Sequence, residues 1–450
     1  MQFIPYNVSY ILHKLDDMGY EAYIVGGCVR DMVMKRKPHD FDICTAASPQ
    51  KVIEIFENEG FEVVPTGIKH GTVSVVIGKE VFEITTFRID GDYEDGRHPS
   101  EVLFTSDINK DLSRRDFTIN AIAYAPNKGI IDPFGGVLDI KNKRIKAVGN
   151  PNERFNEDAL RILRALRFKA TLGFDLAADT HCAMLDASKN LEKISKERIS
   201  SELNKMFEGE FLGKVLDTLE WELRYVIPEL QSMVGFNQRN PYHDYDVWQH
   251  TCRVVANCPK DRIARLAALF HDIGKPASFQ EEIINGEIRY HFKGHAEKSV
   301  EITEKVLKEL KFSNKDIEEI LLLVKNHDVT FSPTKKFIRK MLTKMDKESL
   351  KKLIFLRVAD VLGQKPFNKN DDRIKRAFET LNLLYHFDDE EECFSLKKLN
   401  VNGKDLIQIG IKPGPGMGEI LNTLLELVIQ EELENKKEVL LEYVTNNWKE

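Results

Sequence analysis

The sequence predicts an α/β domain with a small mixed sheet, followed by a long all-α part. Three observations lead there. Short β-rich runs alternate with amphipathic helical patterns up to about residue 140. Beyond it the apolar spacing is almost wholly helical, with no clear strand after 144–148. The 450 residues, 42% hydrophobic and 30% charged, suffice for two or three domains with a substantial core.

The elements follow in chain order. Val8, Ile11, Leu12 and Leu15 set a helix over 7–18. Ala22-Tyr23-Ile24-Val25 starts a strand over 22–26 that runs into Gly26-Gly27. Val29, Met32 and Val33 give a short helix, broken by Pro38. A second strand over 40–44 carries Asp40 and Asp42. Ser48 caps a helix over 49–58, with Pro49 at its first position. Two β-rich runs, 73–77 and 81–87, flank Gly78-Lys79-Glu80 and predict a hairpin. From Ile89 to Asp107 the pattern breaks into a polar loop, Asp90 to Pro99, of a length that is functional or disordered. Arg114-Arg115-Asp116-Phe117-Thr118-Ile119-Asn120-Ala121 and the turn at Asp132-Pro133-Phe134-Gly135-Gly136 close the α/β part. Lys412-Pro413-Gly414-Pro415-Gly416-Met417-Gly418 interrupts the helices before a final helical stretch, and no internal repeat is evident.

Three constellations carry chemistry. Strand residues two apart share a face, so Asp40 and Asp42 should stand side by side. Like charges that close need a cation, and oxygen-seeking Mg2+ suits them. Gly26-Gly27 let a phosphate approach the backbone at a helix N-terminus; the plain alternative is a turn followed by a solvated acidic strand end. Over 157–170 helical spacing gathers Ala159, Ile162, Leu163 and Leu166 on one face. Asp158, Arg161, Arg164 and Arg167 fall on the opposite arc. They form either a solvated face of ion pairs or a surface that reads a base edge and binds a triphosphate. The third set is His250, His271-Asp272-Ile273-Gly274-Lys275, His295, His327-Asp328 and Asp360.

The net charge of −7 conceals a segment, 141–205, with 14 Lys/Arg against 9 Asp/Glu, which fits a phosphate-bearing partner. Six scattered cysteines without a C-x-x-C pair predict reduced thiols. No apolar run approaches 18 residues, and the N-terminus lacks the pattern of a secretory signal, so a cytoplasmic protein without a membrane segment is expected.

Taken together, Gly26-Gly27-x-Val29-Arg30-Asp31, Asp40-x-Asp42, Thr86-Phe87-Arg88, Arg114 to Ala121, Asp132 to Gly136, Glu157-Asp158-x-x-Arg161 and Glu197-Arg198-x-x-x-Glu202 resemble the class II tRNA nucleotidyltransferases, or CCA-adding enzymes, and the related bacterial poly(A) polymerases. Seven motifs in the family's order cover roughly 20–207, and Ile409 to Pro415 looks like the bacterial tail. The resemblance implies a polymerase-β-like nucleotidyltransferase head (1–140), a helical neck and body that bind nucleotide and RNA (141–235), an HD domain (236–365) and a helical, tRNA-binding tail (366–450). Asp40 and Asp42 would hold two Mg2+ ions, with Glu83 a candidate third carboxylate. Gly26, Gly27, Arg30, Arg114, Arg115 and Asn120 would meet the triphosphate. Asp158 and Arg161 would select C or A, with Glu157, Arg164 and Arg167 beside the nucleotide. Glu197, Arg198 and Glu202 would brace the neck. The partners implied are tRNA, CTP and ATP, with no DNA and no membrane. Retention of the loop from Thr86 to Pro99 argues against an enzyme adding only CC.

The histidine–aspartate set resembles the HD phosphohydrolases. His250, His271, Asp272 and Asp360 would bind a divalent metal, with His295 and His327 as ligands of a second. Mn, Ni, Fe or Zn suits such a site better than Mg2+ alone. Two alternatives remain: an A-adding or poly(A) polymerase, and an HD-type hydrolase whose head only binds RNA.

Overall fold

The computed structural model describes residues 4–91, 102–239, 244–284, 287–364, 371–388 and 394–448. The expected loop therefore lies mostly outside the described residues, at 92–101. The chain forms two compact units, Met1–Pro228 and Glu229–Glu450.

In the first unit seven strands form one sheet, in the order Glu62–Gly67, Thr72–Ile77, Glu80–Thr86, Ile43–Thr45, Ala22–Val25, Ala123–Ala125, Gly129–Ile131. Only Ile43–Thr45 and Glu80–Thr86 pair in parallel, so the sheet is mixed. Helix Tyr6–Asp17 buries Val8, Ile11, Leu12 and Leu15, the stripe its periodicity predicts. Ser48 Oγ accepts from the Lys51 N–H, and Pro49 opens the helix Pro49–Asn58. The hairpin turns at Gly78, with φ of 66°, between the paired Ile77 and Glu80.

Four expectations change in this unit. A two-residue strand, Asp175–Leu176, lies beyond 148 and pairs in parallel with Arg144–Ile145, where helix alone was expected. The second strand begins at Ile43, not at residue 40. His39 and Asp40 form a bend after Pro38, and only the Asp42 carbonyl, accepting from the Val25 N–H, extends the pairing. The irregular stretch after Phe87 holds a short antiparallel ribbon, Arg88–Asp90 with Val102–Phe104. The helix expected over 157–170 is two helices, Pro151–Glu157 and Leu160–Leu172. Asp158 between them is extended, at φ −147° and ψ 100°. Ala159, Ile162, Leu163 and Leu166 are buried as the spacing predicts. Each such buried leucine is worth about 2–5 kcal/mol against alanine.

Among the described residues the second unit is helical with one exception. An antiparallel hairpin, Gln280–Ile284 with Glu287–His291, corrects the expectation of helices alone. Its signal is in the sequence: an Asn-Gly pair between two β-rich runs is the pattern that predicts a hairpin. Near the C-terminus, helices Gly403–Gln408, Pro415–Ile429 and Lys437–Trp448 bury Leu406, Leu424, Leu440 and Val444 together. Asn402 and Asp405 form a reciprocal cap at the first of them. Among the described residues no helix is long and apolar enough to cross a membrane.

Candidate active sites

The first site is a cleft of about 490 Å³ in the first unit. Gly26 ends a sheet strand with φ of 81°, and a Cβ there would stand 3.1 Å from Arg115 Nη1 and 3.7 Å from Asp42 Oδ2. The positive φ favours glycine here, and a Cβ would press on the Arg115 guanidinium. Helix Gly27–Val33 follows, carrying Arg30, whose Nη1 donates to Asn120 Oδ1 at 2.8 Å. Asp31 Oδ1 accepts from Arg30 Nε and Nη2 at 3.0 and 2.9 Å and fixes the guanidinium plane.

Asp42 lines the cleft. Burial raises its carboxyl pKa, the charges of Asp40 and Glu83 raise it further, and Arg115 opposes them. Asp42 thus feels two acidic neighbours besides its burial, and the neighbouring guanidinium only partly offsets them. They are not drawn into a tight cage: among the described residues, groups of three or more metal-type ligands closing within 4.8 Å occur only in the second unit.

Asp111, which the sequence reasoning passed over, anchors the arginine pair. It is fully buried and accepts from Arg114 Nη2 at 2.8 Å, Arg115 Nη2 at 3.3 Å and the Arg88 N–H at 3.3 Å. Burial pushes its carboxyl up, but the two arginine charges outweigh that and hold it below the usual range. The i,i+3 and i,i+4 spacing from Asp111 to Arg114 and Arg115 was the available signal. Arg115 reaches the cleft; Arg114 does not line it.

Helix Leu160–Leu172 supplies Arg161, Arg164 and Arg167, all lining the cleft. Asp116, 8% exposed, receives Arg164 Nε at 2.7 Å. Burial raises that carboxyl, yet the Arg164 charge and hydrogen bond bring it below its ordinary value. Glu202 stands 3.0 Å from Arg167 Nε and 3.8 Å from Arg164 Nη1.

The expected pairing of Asp158 with Arg161 on one helix face is replaced by another. Asp158 Oδ1 accepts from the Leu160 N–H at 3.0 Å, and Oδ2 is 2.6 Å from Arg198 Nη2. Arg161, 8% exposed, donates Nη1 to Glu157 Oε2 (2.6 Å) and the Arg154 carbonyl (2.9 Å), and Nη2 to the Arg114 carbonyl (3.2 Å). The helix break at Asp158 turns the two side chains apart, although both border the cleft. Arg198, expected only to brace the neck, is a cleft residue. Of the candidate residues, Gly26, Gly27, Arg30, Asp42, Arg115, Asn120, Asp158, Arg161, Arg164 and Arg167 line the cleft; Asp40, Glu83, Arg114 and Glu157 do not. Six arginines against three aspartates give the wall of the cleft an excess of cationic groups.

The second site lies in the second unit. His250 comes from helix Val247–Asn257, His271 and Asp272 follow helix Arg262–Phe270, His295 opens helix His295–Glu309, His327 follows helix Asn314–Asn326, and Asp360 lies in helix Lys347–Gln364. They make two adjoining groups, His250–His271–Asp360 and Asp272–His295–His327. His250 Nε2 is 3.1 Å from Asp360 Oδ1, and His271 Nε2 is 3.1 Å from Asp272 Oδ2. His295 Nε2 and His327 Nε2 lie 3.5 and 3.7 Å from Asp272 Oδ1. Asp272 thus presents one oxygen to each group. The Nδ1 atoms of His271, His295 and His327 meet the carbonyls of Ala268, Phe292 and Val324 at 2.7, 2.9 and 2.7 Å. An Nδ1–H donated there leaves the Nε2 lone pair facing inward, the arrangement of metal-binding imidazoles. Burial lowers the His327 pKa to about 4, which favours the neutral imidazole. Burial raises the Asp272 carboxyl, but His271 and Lys275 more than reverse it. A cavity of about 410 Å³ opens onto the cluster and is also lined by Lys275, Phe292, Lys293 and Gln364.

Comparison with known proteins covers nearly the whole chain. Residues 22–146 match the Poly A polymerase head domain, 173–233 the probable RNA and SrmB-binding site of polymerase A, and 293–444 the putative tRNA nucleotidyltransferase domain 2. A CCA-adding enzyme of Anoxybacillus flavithermus is 33% identical over 98% of this chain and 96% of its own. One of Leuconostoc citreum is 34% identical over 96% and 94%. The crystal structure of the Bacillus stearothermophilus CCA-adding enzyme in complex with CTP superposes with a TM-score of 0.71 at 30% identity, covering 97% of this chain and 96% of that one.

Proposed function

The chain belongs to the family of CCA-adding enzymes, and from that premise we propose that its first unit builds the CCA end of tRNA, using CTP and then ATP. The observation that carries this is the cleft, where Asp42, an excess of arginines and the Asp158 carboxylate border one space. A cation fits at Asp42, with Asp40 and Glu83 as further ligands, because burial first and then the charges of those two carboxylates disfavour the ionised Asp42, and a divalent ion with oxygen ligands relieves this. Mg2+ held there would supply activation of the RNA 3′-hydroxyl and neutralisation of the departing pyrophosphate. The protein's own groups do the rest. Arg30, locked by Asn120 and Asp31, and Arg115, locked by Asp111, bind the triphosphate. Asp158 accepts the exocyclic amino group that C and A share, and Arg161 and Arg198 donate to the adjoining ring nitrogen. G and U present the opposite pattern and leave these groups unpaired.

For the remainder of the chain we assign a head over 1–140, a neck over 141–235, an HD phosphohydrolase domain over 236–365 and a tRNA-binding tail over 366–450. The inward Nε2 atoms and shared Asp272 support a pair of divalent ions, Mn, Ni, Fe, Zn or Mg2+, whose chemistry is activation of water against a phosphate ester. We propose a cytoplasmic location on the strength of the tRNA substrate. The deciding experiment is a product assay on tRNA lacking CCA, tRNA ending in CC and an unrelated RNA, with CTP and ATP alone and together. Addition of C, C and A in order to the first substrate is expected. Incorporation of A alone would mean an A-adding enzyme or a poly(A) polymerase.

A further inference from the structure

One ring in the wall of the first cleft has no part in the reading above. Apart from its glycines, the cleft is lined by charged and polar side chains and by two apolar ones, Leu160 and Phe168. Three guanidinium groups lie over the Phe168 ring: Arg167 at 4.3 Å from its centroid, Arg30 at 5.4 Å and Arg164 at 5.7 Å. Arg30 comes from helix Gly27–Val33 and the other two from helix Leu160–Leu172, so the ring draws charges of two helices to one point. Phe117 backs the ring, 5.8 Å away and edge-on at 85°. Arg30 and Arg164 have hydrogen-bonded anchors in Asn120 and Asp116. Arg167 has none at Nε among the described residues, although Glu202 Oε2 stands 3.0 Å off, which leaves the π face to hold it. Burial is the first cause of the lowered Arg167 pKa; Glu202 opposes it, and the charges of Arg164 and Arg30 lower it further. Arg167 thus feels both of its cationic neighbours.

We propose that Phe168 is a positioning residue: its π face gathers Arg30, Arg164 and Arg167 into one clamp for the triphosphate that CTP and ATP share. The proposal rests on the nucleotidyl-transfer reading for the identity of the ligand and on the ring geometry for the clamp. An aromatic ring presents a negative face, which offsets part of the repulsion among guanidinium groups, most of all where water is excluded. Arginines already gathered lose less freedom when a polyanion arrives. A leucine would fill much of the same space and leave the three charges to part. Among the described residues Arg161 and Arg198, which meet the base in that reading, do not lie over the ring, so the choice of base should not depend on it.

The test titrates the full-length protein, in Mg2+ and without tRNA, with inorganic tripolyphosphate and with CTP. In Phe168→Leu both dissociation constants should rise by about 5- to 30-fold, the scale of one or two desolvated cation–π contacts. Replacing Phe168 by 4-fluoro- and then pentafluorophenylalanine keeps the ring's outline and drains its negative face. Affinity should then fall stepwise with fluorination while the thermal unfolding temperature holds, a trend that a ring serving only as core would not give. In turnover, KM should rise for CTP and ATP alike, kcat should move less, and C should still precede A. Wild-type affinity for tripolyphosphate in Phe168→Leu, or equal affinity across the fluorinated rings, would overturn the clamp. A stepwise trend in binding with no nucleotide added to any tRNA would leave the clamp standing and sink the CCA-adding reading instead.

Discussion

Glu222 is fully buried in helix Leu216–Leu223, and neither of its carboxylate oxygens has a hydrogen-bond partner among the described residues. Burial raises its pKa from 4.5 to about 7, against the opposing charges of Lys169 and Arg224. The sign of the consequence is fixed. A carboxyl with a higher pKa folded than unfolded favours the fold most below about pH 4.5, and that contribution is lost as pH rises to about 7. The loss is on the order of 3 kcal/mol by pH 8. Glu222→Gln should therefore flatten the fall in urea stability between pH 5 and pH 8 by about 2–3 kcal/mol. A variant that keeps the full wild-type slope would show that another group titrates. Asp111 and Asp116 differ from Glu222 in this respect: both are buried, but each has arginine partners that keep it ionised.

Among the elements, helix Gly136–Lys141 presses on the short turn Thr118–Asn120. A Cβ at Gly136 would stand 2.1 Å from the Thr118 carbonyl oxygen, which is backbone and cannot rotate away. Gly136→Ala should cost about 1–3 kcal/mol by overpacking. It should also weaken CTP binding, because the displaced turn carries Asn120, the partner of Arg30. Gly135, where a Cβ would meet nothing within 4 Å, is the comparison: its φ of 74° leaves only backbone strain. Loss of stability without loss of CTP affinity in Gly136→Ala would separate the turn from the site. Elements of this kind mark the limit of what the sequence discloses. The helix stripes, the Ser48-Pro49 start and the hairpin at Gly78 were legible because local spacing dictates them. So was the membership of the cleft, since ten of the named residues line it. Three-residue strands such as Ala123–Ala125 are too short to show a period. The partnership of Asp158 with Arg198, forty residues apart, is set by packing of helix Leu160–Leu172 on helix Lys196–Phe207 and has no local signature. The break at Asp158 was hidden because one residue of extended backbone leaves the apolar spacing of its neighbours intact.

At the scale of the whole molecule, each unit carries a site built from its own residues alone: the cleft from residues 26–198 and the histidine–aspartate cluster from residues 250–360. Their ligand chemistries also differ. The first offers carboxylate oxygens, which suit Mg2+, and the second is dominated by imidazole nitrogen, which suits transition metals. CCA addition and the proposed ester hydrolysis should therefore separate both by mutation and by metal. Asp42→Asn is expected to lower CCA addition by at least about 10²-fold, the scale of losing one preorganised electrostatic partner. It should not lower thermal stability, because the carboxyl it removes is one that burial and two acidic neighbours disfavour. Hydrolysis of phosphate esters should continue in that variant. His271→Ala should do the reverse, losing hydrolysis while addition persists. After chelation, Mg2+ should restore addition, and Mn2+ or Ni2+ should restore hydrolysis more fully than Mg2+ does. CCA addition surviving in Asp42→Asn would remove the carboxylate from the centre of the mechanism. Joint loss of both activities in either variant would show that the two units do not work as independent catalysts.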